Sequence, residues 1–262
     1  MSEAAGRYLR VSYFRRLVTD LMHFSAKVPS VTIERNMDLA RLIAARQANV
    51  HEPTWSAIFT KALALVAVRT PALRTSYLSF PWPRFYEHAT NVGTLNVDRY
   101  VGDERVVIIA HIDSPEKCTL QEIDAIIQNH QEEPVENLPS YRSALRMSRL
   151  PWPLRRLIWW AGLNFFGPTR CQHFGTFNVT SLGCQGSGIL HLITLLTSTL
   201  HFGMLDPAGS LEVRLSFDHR VLDGATAAEV LQNLEQVLLE DIFLECTESA
   251  RTAPASDRTP VS

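Results

Sequence analysis

Leu211, Val213, Leu215 and Phe217 alternate strictly with Glu212, Arg214 and Ser216, and a helical stripe of Ala227, Val230, Leu231, Leu234, Val237 and Leu238 follows closely. A period of two requires a strand with one buried face, and steps of three and four require a helix with one buried stripe. A strand and helix joined this tightly bury their apolar faces against each other, so the chain must lay helices on a sheet. The pattern recurs near the N-terminus. Phe14, Leu17, Leu21 and Phe24 form one face of a helix over 11–25, with Arg15 and Arg16 beside it. Val31, Ile33 and Met37 then alternate with Thr32, Glu34 and Asn36, a half-buried strand ending at Asp38. Asp38 suits the cap of a helix carrying Leu39, Leu42 and Ile43. The expected class is α/β (α+β).

Further elements fill the middle. Thr54 opens a helix with Trp55, Ile58, Phe59, Ala62, Leu63 and Val66 on its stripe, and Phe80-Pro81-Trp82-Pro83 reads as a loop. Val106 to Ile109 is a continuous apolar run, which predicts a strand covered on both faces. Thr119 and Glu122 make a capping box, and Phe174 to Ser181 reads as another strand. One domain is expected over 11–246, after an N-terminal segment 1–10. A Ser/Thr/Pro/Ala-rich tail over 247–262 is expected to be disordered.

Composition narrows the function classes. The chain has 262 residues, 46% of them apolar and 20% charged, enough for a full core and incompatible with whole-chain disorder. Lys plus Arg is 25 against 27 for Asp plus Glu, a net charge of −2, so no nucleic-acid partner is expected. Cys118, Cys171, Cys184 and Cys246 lie far apart with no CxxC pair, so neither a metal site nor a disulfide framework is expected. No apolar run is long enough to span a membrane, and residues 1–10 lack a signal core, so the expected location is cytoplasmic.

Residues 145–170 stand apart. Arg146, Arg149, Arg155, Arg156 and Arg170 interleave with Trp152, Trp159, Trp160, Phe165 and Phe166. The alternatives are an interfacial membrane helix, a patch for an acidic ligand, or an ordinary helix whose aromatics pack while its arginines face water. The ordinary helix is the expectation.

The chemistry concentrates at Asp218-His219-Arg220-Val221-Leu222-Asp223-Gly224. One further step of the strand alternation places His219 beside Phe217, facing inward, where burial would favour the neutral imidazole that a general base needs. Asp223 can pair with a cation to fix the turn, and Gly224 permits an unusual backbone conformation or a close approach.

This string resembles the DHRxxDG signature of the 2-oxo acid dehydrogenase acyltransferase catalytic domain, within the chloramphenicol acetyltransferase-like superfamily. Gly175-Thr176-Phe177-Asn178-Val179-Thr180-Ser181-Leu182-Gly183 is similar to that family's GTFTISNLG strand and turn. Val28-Pro29-Ser30-Val31-Thr32-Ile33, Thr60-Lys61-Ala62-Leu63-Ala64 and Pro71-Ala72-Leu73 extend the likeness along the chain.

The resemblance implies a chloramphenicol acetyltransferase-like fold, a mixed sheet flanked by helices, of the single-copy trimeric type. It implies transfer of an acyl group from acyl-coenzyme A to an unidentified thiol, hydroxyl or amine, with His219 as general base and no metal. Thr180 would supply the hydroxyl that stabilises the oxyanion, with Ser181 as the alternative. Asp223 would hold the histidine loop by a salt bridge to Arg16, or else Arg15. The protein would be a homotrimer or a multiple of trimers, His219 of one chain meeting Thr180 of the next. No lipoyl-lysine segment precedes the first helix, so a stand-alone chain is expected. Cys184-Gln185-Gly186-Ser187-Gly188 departs from the family's pattern, which points to a different acceptor. The remaining alternatives are a non-catalytic trimeric scaffold and a condensation-type enzyme using carrier-protein thioesters.

Overall fold

The structure is a computed structural model that describes residues 6–181, 189, 191–206 and 209–252. Its centre is helix α3 (Trp55–Arg69), where every residue from Ala57 to Ala67 except Leu65 is buried. A helix this apolar on all sides is stable only when surrounded. Thr54 starts it by accepting the Ala57 N–H at 3.2 Å. Helices α4 (Leu120–Glu132) and α8 (Gly224–Val237) pack alongside, and the main sheet lies beneath. The Thr119/Glu122 capping box opens α4 as expected.

Among the described residues the main sheet has six strands. Their order is β1 (Ser30–Asp38), β8 (Ser210–Asp218), β7 (Ser198–Phe202), β6 (Phe177–Thr180), β4 (Val92–Val101) and β5 (Glu104–Asp113). β6 runs parallel to β4 and β7, and the other pairings are antiparallel, so the sheet is mixed. A separate hairpin joins β2 (Thr75–Leu78) to β3 (Arg84–Glu87). Phe177, Val179, Leu200, Phe202, Val213, Leu215 and Phe217 belong to the core under α3. Register places Thr180 beside His201, His201 beside Arg214, and Arg214 beside Glu34. Directly opposed residues share a face, so this polar row lies on the side away from α3.

The apolar run at Val106 to Ile109 is not covered on both faces. β5 is an edge strand: Val106 and Ile108 are buried, whereas Val107 and Ile109 are exposed. At the C-terminus, α9 (Phe243–Thr252) continues past the expected domain end at residue 246. No helix among the described residues is long and apolar enough to cross a membrane.

The arginine- and tryptophan-rich segment forms three helices, α5 (Pro139–Arg149), α6 (Trp152–Asn164) and α7 (Gly167–Phe174). The expectation that its arginines face water holds for Arg146 and Arg149 and fails for Arg155 and Arg170. Trp159 does pack, stacking on Phe24 with centroids 5.9 Å apart, but Arg155 and Arg170 are buried while Leu154, Leu157 and Ile158 are exposed. For Arg155 the cause is Asp20 on α1 (Tyr13–Ser25), which is 0% exposed. A carboxylate out of water must be paired. Arg155 donates to it through Nε, and Arg156 through Nε at 3.3 Å. A second Arg155 nitrogen, Nη1, donates to the Leu150 carbonyl at 3.2 Å. This contact turns the basic side of α6 inward.

Breaking such a buried pair costs about 3–5 kcal/mol, whereas replacing both members by apolar groups is much milder. Asp20→Ala is therefore expected to lower stability by that amount, and Asp20→Leu with Arg155→Met by clearly less than the sum of the single changes. Urea titration of the wild type, the three single variants and the double variant checks this, and simple additivity of Asp20→Leu and Arg155→Met would contradict the pairing.

Candidate active site

The sheet alternation ends one residue before His219. β8 stops at Asp218, and the chain turns so that the N–H groups of Val221 and Leu222 both return to the Asp218 carbonyl, at 2.9 and 3.0 Å. His219 therefore does not face inward as the parity predicts. Within the single chain its side chain is exposed, 5.6 Å from the Phe217 ring, and its N–H donates to the Pro29 carbonyl at 3.0 Å.

Asp218 fixes this loop. It is 3% exposed, and its N–H donates to the Thr197 carbonyl at 3.0 Å. Its carboxylate accepts the Arg220 N–H at 3.0 Å, Nε at 2.9 Å and Nη2 at 2.7 Å. The Arg220 guanidinium in turn lies 4.3 Å from the Tyr77 ring centre. A bidentate arginine–carboxylate contact stacked on an aromatic face leaves both groups little freedom. Buried Arg170 ties the surroundings together, donating to the carbonyls of Tyr77, Leu163 and Leu195 at 2.8–2.9 Å. Burial pulls its pKa down to about 10, with the Asp218 charge acting in the opposite sense.

The expected Arg16–Asp223 salt bridge is not formed. Asp223 is exposed and caps α8, accepting the Thr226 N–H at 2.8 Å, and that bond holds its carboxyl below the usual range. Arg16 lies 5.0 Å from the Tyr13 ring centre, and neither it nor Arg15 has an ion pair among the described residues. The helix N-terminus satisfies the carboxylate without an arginine. Gly224 also lacks the expected constraint, because an added Cβ would meet nothing within 4 Å. Gly175, just ahead of β6, is constrained instead, with φ +85° and an added Cβ 2.5 Å from Thr94. It delivers the Thr176 N–H to the Val92 carbonyl at 2.8 Å, the entry to β6.

Thr180 ends β6, half-buried, and its hydroxyl has no hydrogen bond among the described residues. Ser181 differs, donating its hydroxyl to the Phe202 carbonyl at 3.0 Å. The Thr180 carbonyl is held by Nδ1 of buried His201 at 3.2 Å, while His201 Nε2 accepts the Ile189 N–H at 3.2 Å. An accepting Nε2 leaves the proton on Nδ1, so His201 is a neutral clamp on the end of β6. Burial lowers its pKa. Arg214 secures the same corner, donating to the Ile189 carbonyl at 2.7 Å and contacting Glu34 and Glu212. Beside Ser181 a cleft of about 300 Å³ is lined by Trp55, Phe202, Met204, Leu205 and Leu211. The segment Cys184-Gln185-Gly186-Ser187-Gly188 lies outside the described residues.

The chain does not bring His219 and Thr180 together. Thr180 is level with His201, whereas Phe217 is level with Ser198, so the two groups lie toward opposite ends of β7. At about 3.3 Å per residue, the three residue steps from His201 to Ser198 put roughly 10 Å of strand between the levels of Thr180 and Phe217, and His219 lies beyond Phe217. Asp218, His201 and Arg214 carry much of the observed geometry. Asp218 stands in the quoted motif without a role assigned to it, and His201 and Arg214 show in the sequence only polar character at strand positions that prove to be buried.

Three imidazoles share one electrostatic consequence. Burial lowers the pKa of His111 and His201, and that of His88 to about 4. The unfolded chain protonates near pH 6.5 while these folded groups stay neutral, so the unfolded state binds more protons and stability falls as pH drops from about 6.5 toward 4. The melting temperature is expected to decrease across that window and to stay nearly flat just above it. His88→Asn, which keeps a partner for Ser76 (3.0 Å from His88 Nε2), should weaken the slope.

Residues 175–244 match the family model described as the 2-oxoacid dehydrogenases acyltransferase (catalytic domain), a span that includes both Thr180 and His219. No curated protein matches the sequence. Among solved structures, the cubic core of the pyruvate dehydrogenase multienzyme complex is similar at 19% identity, covering 92% of this chain and 95% of that one, TM-score 0.68. The Azotobacter vinelandii dihydrolipoamide acetyltransferase, studied for a serine, a histidine and an asparagine in its catalytic mechanism, is 19% identical with 92% and 94% coverage, TM-score 0.67. A probable dihydrolipoamide acetyltransferase from Listeria monocytogenes is 19% identical with 90% and 96% coverage, TM-score 0.62. The expected mixed sheet flanked by helices is thus the one found. The chain has the fold of the dihydrolipoamide acetyltransferase cores, and its residues 175–244 carry the sequence pattern of the 2-oxoacid dehydrogenases acyltransferase catalytic domain.

Proposed function

We propose that this chain is an acyltransferase working as a homotrimer, moving an acyl group from acyl-coenzyme A to a thiol, hydroxyl or amine acceptor. The observation that carries this reading is the placement of an exposed, loop-fixed His219 and an uncommitted Thr180 hydroxyl toward opposite ends of β7. Each chain then offers two half-sites, and a neighbouring chain completes each one. Assembly would also cover His219, which a lone chain leaves in water.

The steps follow from the groups. His219 takes the proton of the acceptor as its heteroatom attacks the thioester carbonyl. The carbonyl oxygen becomes an oxyanion, which accepts a hydrogen bond from the Thr180 hydroxyl of the adjoining chain. Collapse of the tetrahedral intermediate restores the carbonyl and expels the coenzyme A sulfur, which takes the proton back from the imidazolium. Asp218 and Arg220 hold the backbone on either side of His219, and His201 holds the Thr180 backbone. These are positioning residues with no proton transfer assigned to them.

His219→Ala is expected to reduce turnover by about 10²–10⁴-fold with the fold intact. Thr180→Ala should lower kcat by about 10²–10³-fold with little change in KM, since its hydroxyl bonds charge formed only in the transition state. Both are read by thiol release from a panel of acyl-CoAs in the presence of cell extract. A larger loss in Ser181→Ala than in Thr180→Ala would move the oxyanion role to the neighbour.

Light scattering should give a particle of about three times 29.5 kDa, or a multiple of it. A sharper test mixes the two inactive variants after mild dissociation. Hybrid trimers contain interfaces where an intact His219 meets an intact Thr180, so activity should return on mixing. Continued inactivity of verified hybrids, or full activity in a 29.5 kDa species, would remove the interfacial site.

A further inference from the structure

Helix α6 is amphipathic in the reverse of the usual sense. Arg155, Trp159 and Leu163 face the protein, while Leu154, Leu157 and Ile158, at helical spacing on the other side, are 44%, 58% and 39% exposed. The apolar surface continues beyond the helix. Phe165 and Phe166 are exposed at its C-terminal end, and Trp82 is 66% exposed on the β2–β3 loop, which Phe80 docks against Trp160 and Phe165. A contiguous patch of this kind on a folded domain marks a surface that meets something less polar than water.

The charges beside the patch select the partner. Residues 137–205 contain no Asp or Glu at all, and every charged side chain in that span apart from histidine is one of six arginines. Helices α1, α5 and α6 pack together and contain a single carboxylate, Asp20, which is fully buried under Arg155 and Arg156. Their exposed charges are therefore cationic. Arg142, Arg146 and Arg149 recur at steps of four and three on α5, all exposed and without ion pairs among the described residues. Trp152 sits 59% exposed at the start of α6 with the Arg156 guanidinium 5.0 Å from its ring.

We infer that this face docks on an anionic lipid bilayer, with α6 lying in the interfacial plane. Leu154, Leu157 and Ile158 enter the boundary between headgroups and acyl chains, Trp82 and Trp152 sit at headgroup level, and the α5 arginines pair with lipid phosphates. A second copy of this chain in a two-fold contact fits less well, because it would bring like-charged arginine rows together with no exposed carboxylate from these helices to offset them. A three-fold contact would set this face against a different surface of the neighbour, and particle mass separates that case from a lipid surface.

The test is co-sedimentation of the purified protein with phosphatidylcholine vesicles, with and without phosphatidylglycerol, alongside light scattering. The wild-type protein should pellet with the anionic vesicles, far less with the neutral ones, and be released by salt. Leu157→Glu with Ile158→Glu should abolish pelleting while leaving the particle mass unchanged. Arg142→Gln with Arg146→Gln, both on an exposed helix face, should weaken binding to anionic vesicles about 30-fold. That second variant decides the matter if the glutamate pair does not fold. Absence of wild-type binding, unchanged binding in the arginine variant, or a smaller particle in a folded glutamate variant would each overturn the inference. The last of these would identify the face as a contact between copies.

Discussion

The burial of α3 on every side is the constraint on which the fold rests. A helix carrying Ile58, Phe59, Leu63 and Val66 at 0% exposure cannot sit at a surface, so the sheet must lie on one side and α4 and α8 on others. That arrangement assigns the apolar face of β6, β7 and β8 to α3 and sends their polar residues to the opposite face. Lys61, the one charged residue within the buried span, is accommodated by Glu245 at 2.5 Å. Glu245 also accepts the Leu120 N–H at 3.0 Å, so one carboxylate joins α3, α4 and α9.

Where a residue's neighbours in sequence are also its structural context, the fold was legible. The alternation of Leu211 to Phe217, the Thr54 and Thr119 caps and the α8 stripe all report local geometry, and all appear where expected. β4 and β7 were not recognised. β7 lies in the interior of the sheet and buries polar and apolar residues alike, Ser198, Thr199 and His201 beside Leu200 and Phe202, so no alternation marks it. The run at Val106 failed for the opposite reason. A continuous apolar strand does not disclose whether a second layer covers its other face, and the face carrying Val107 and Ile109 is exposed.

The candidate site divides along the same line. Thr180 and His219 were named from a motif, and their local settings, a strand end and a tight loop, follow from it. What holds them could not be read the same way. The expected partner of Asp223 is an arginine on the first helix, yet the carboxylate is satisfied by the Thr226 N–H at the start of its own helix. The loop is instead pinned by Asp218 with Arg220, two residues apart, while Arg170 holds Tyr77, on whose ring Arg220 lies, and binds three carbonyls and no carboxylate. Arginine suits that task because its planar guanidinium can donate in several directions at once, which a lysine ammonium does from a single point.

The Asp20–Arg155 contact has a mechanical consequence. Asp20 lies nine positions before Pro29, and the Pro29 carbonyl is the acceptor that holds the His219 N–H. Between them run only the last turn of α1 and a short hydrogen-bonded turn, in which Lys27 and Val28 donate to Phe24 and Ser25 and the Ser30 N–H returns to Val28. α1 is thus tied to α6 by a buried ion pair, and the chain that leaves it reaches the histidine loop through one backbone hydrogen bond. The connection from α6 to His219 runs through α1 and this turn, outside the core beneath α3.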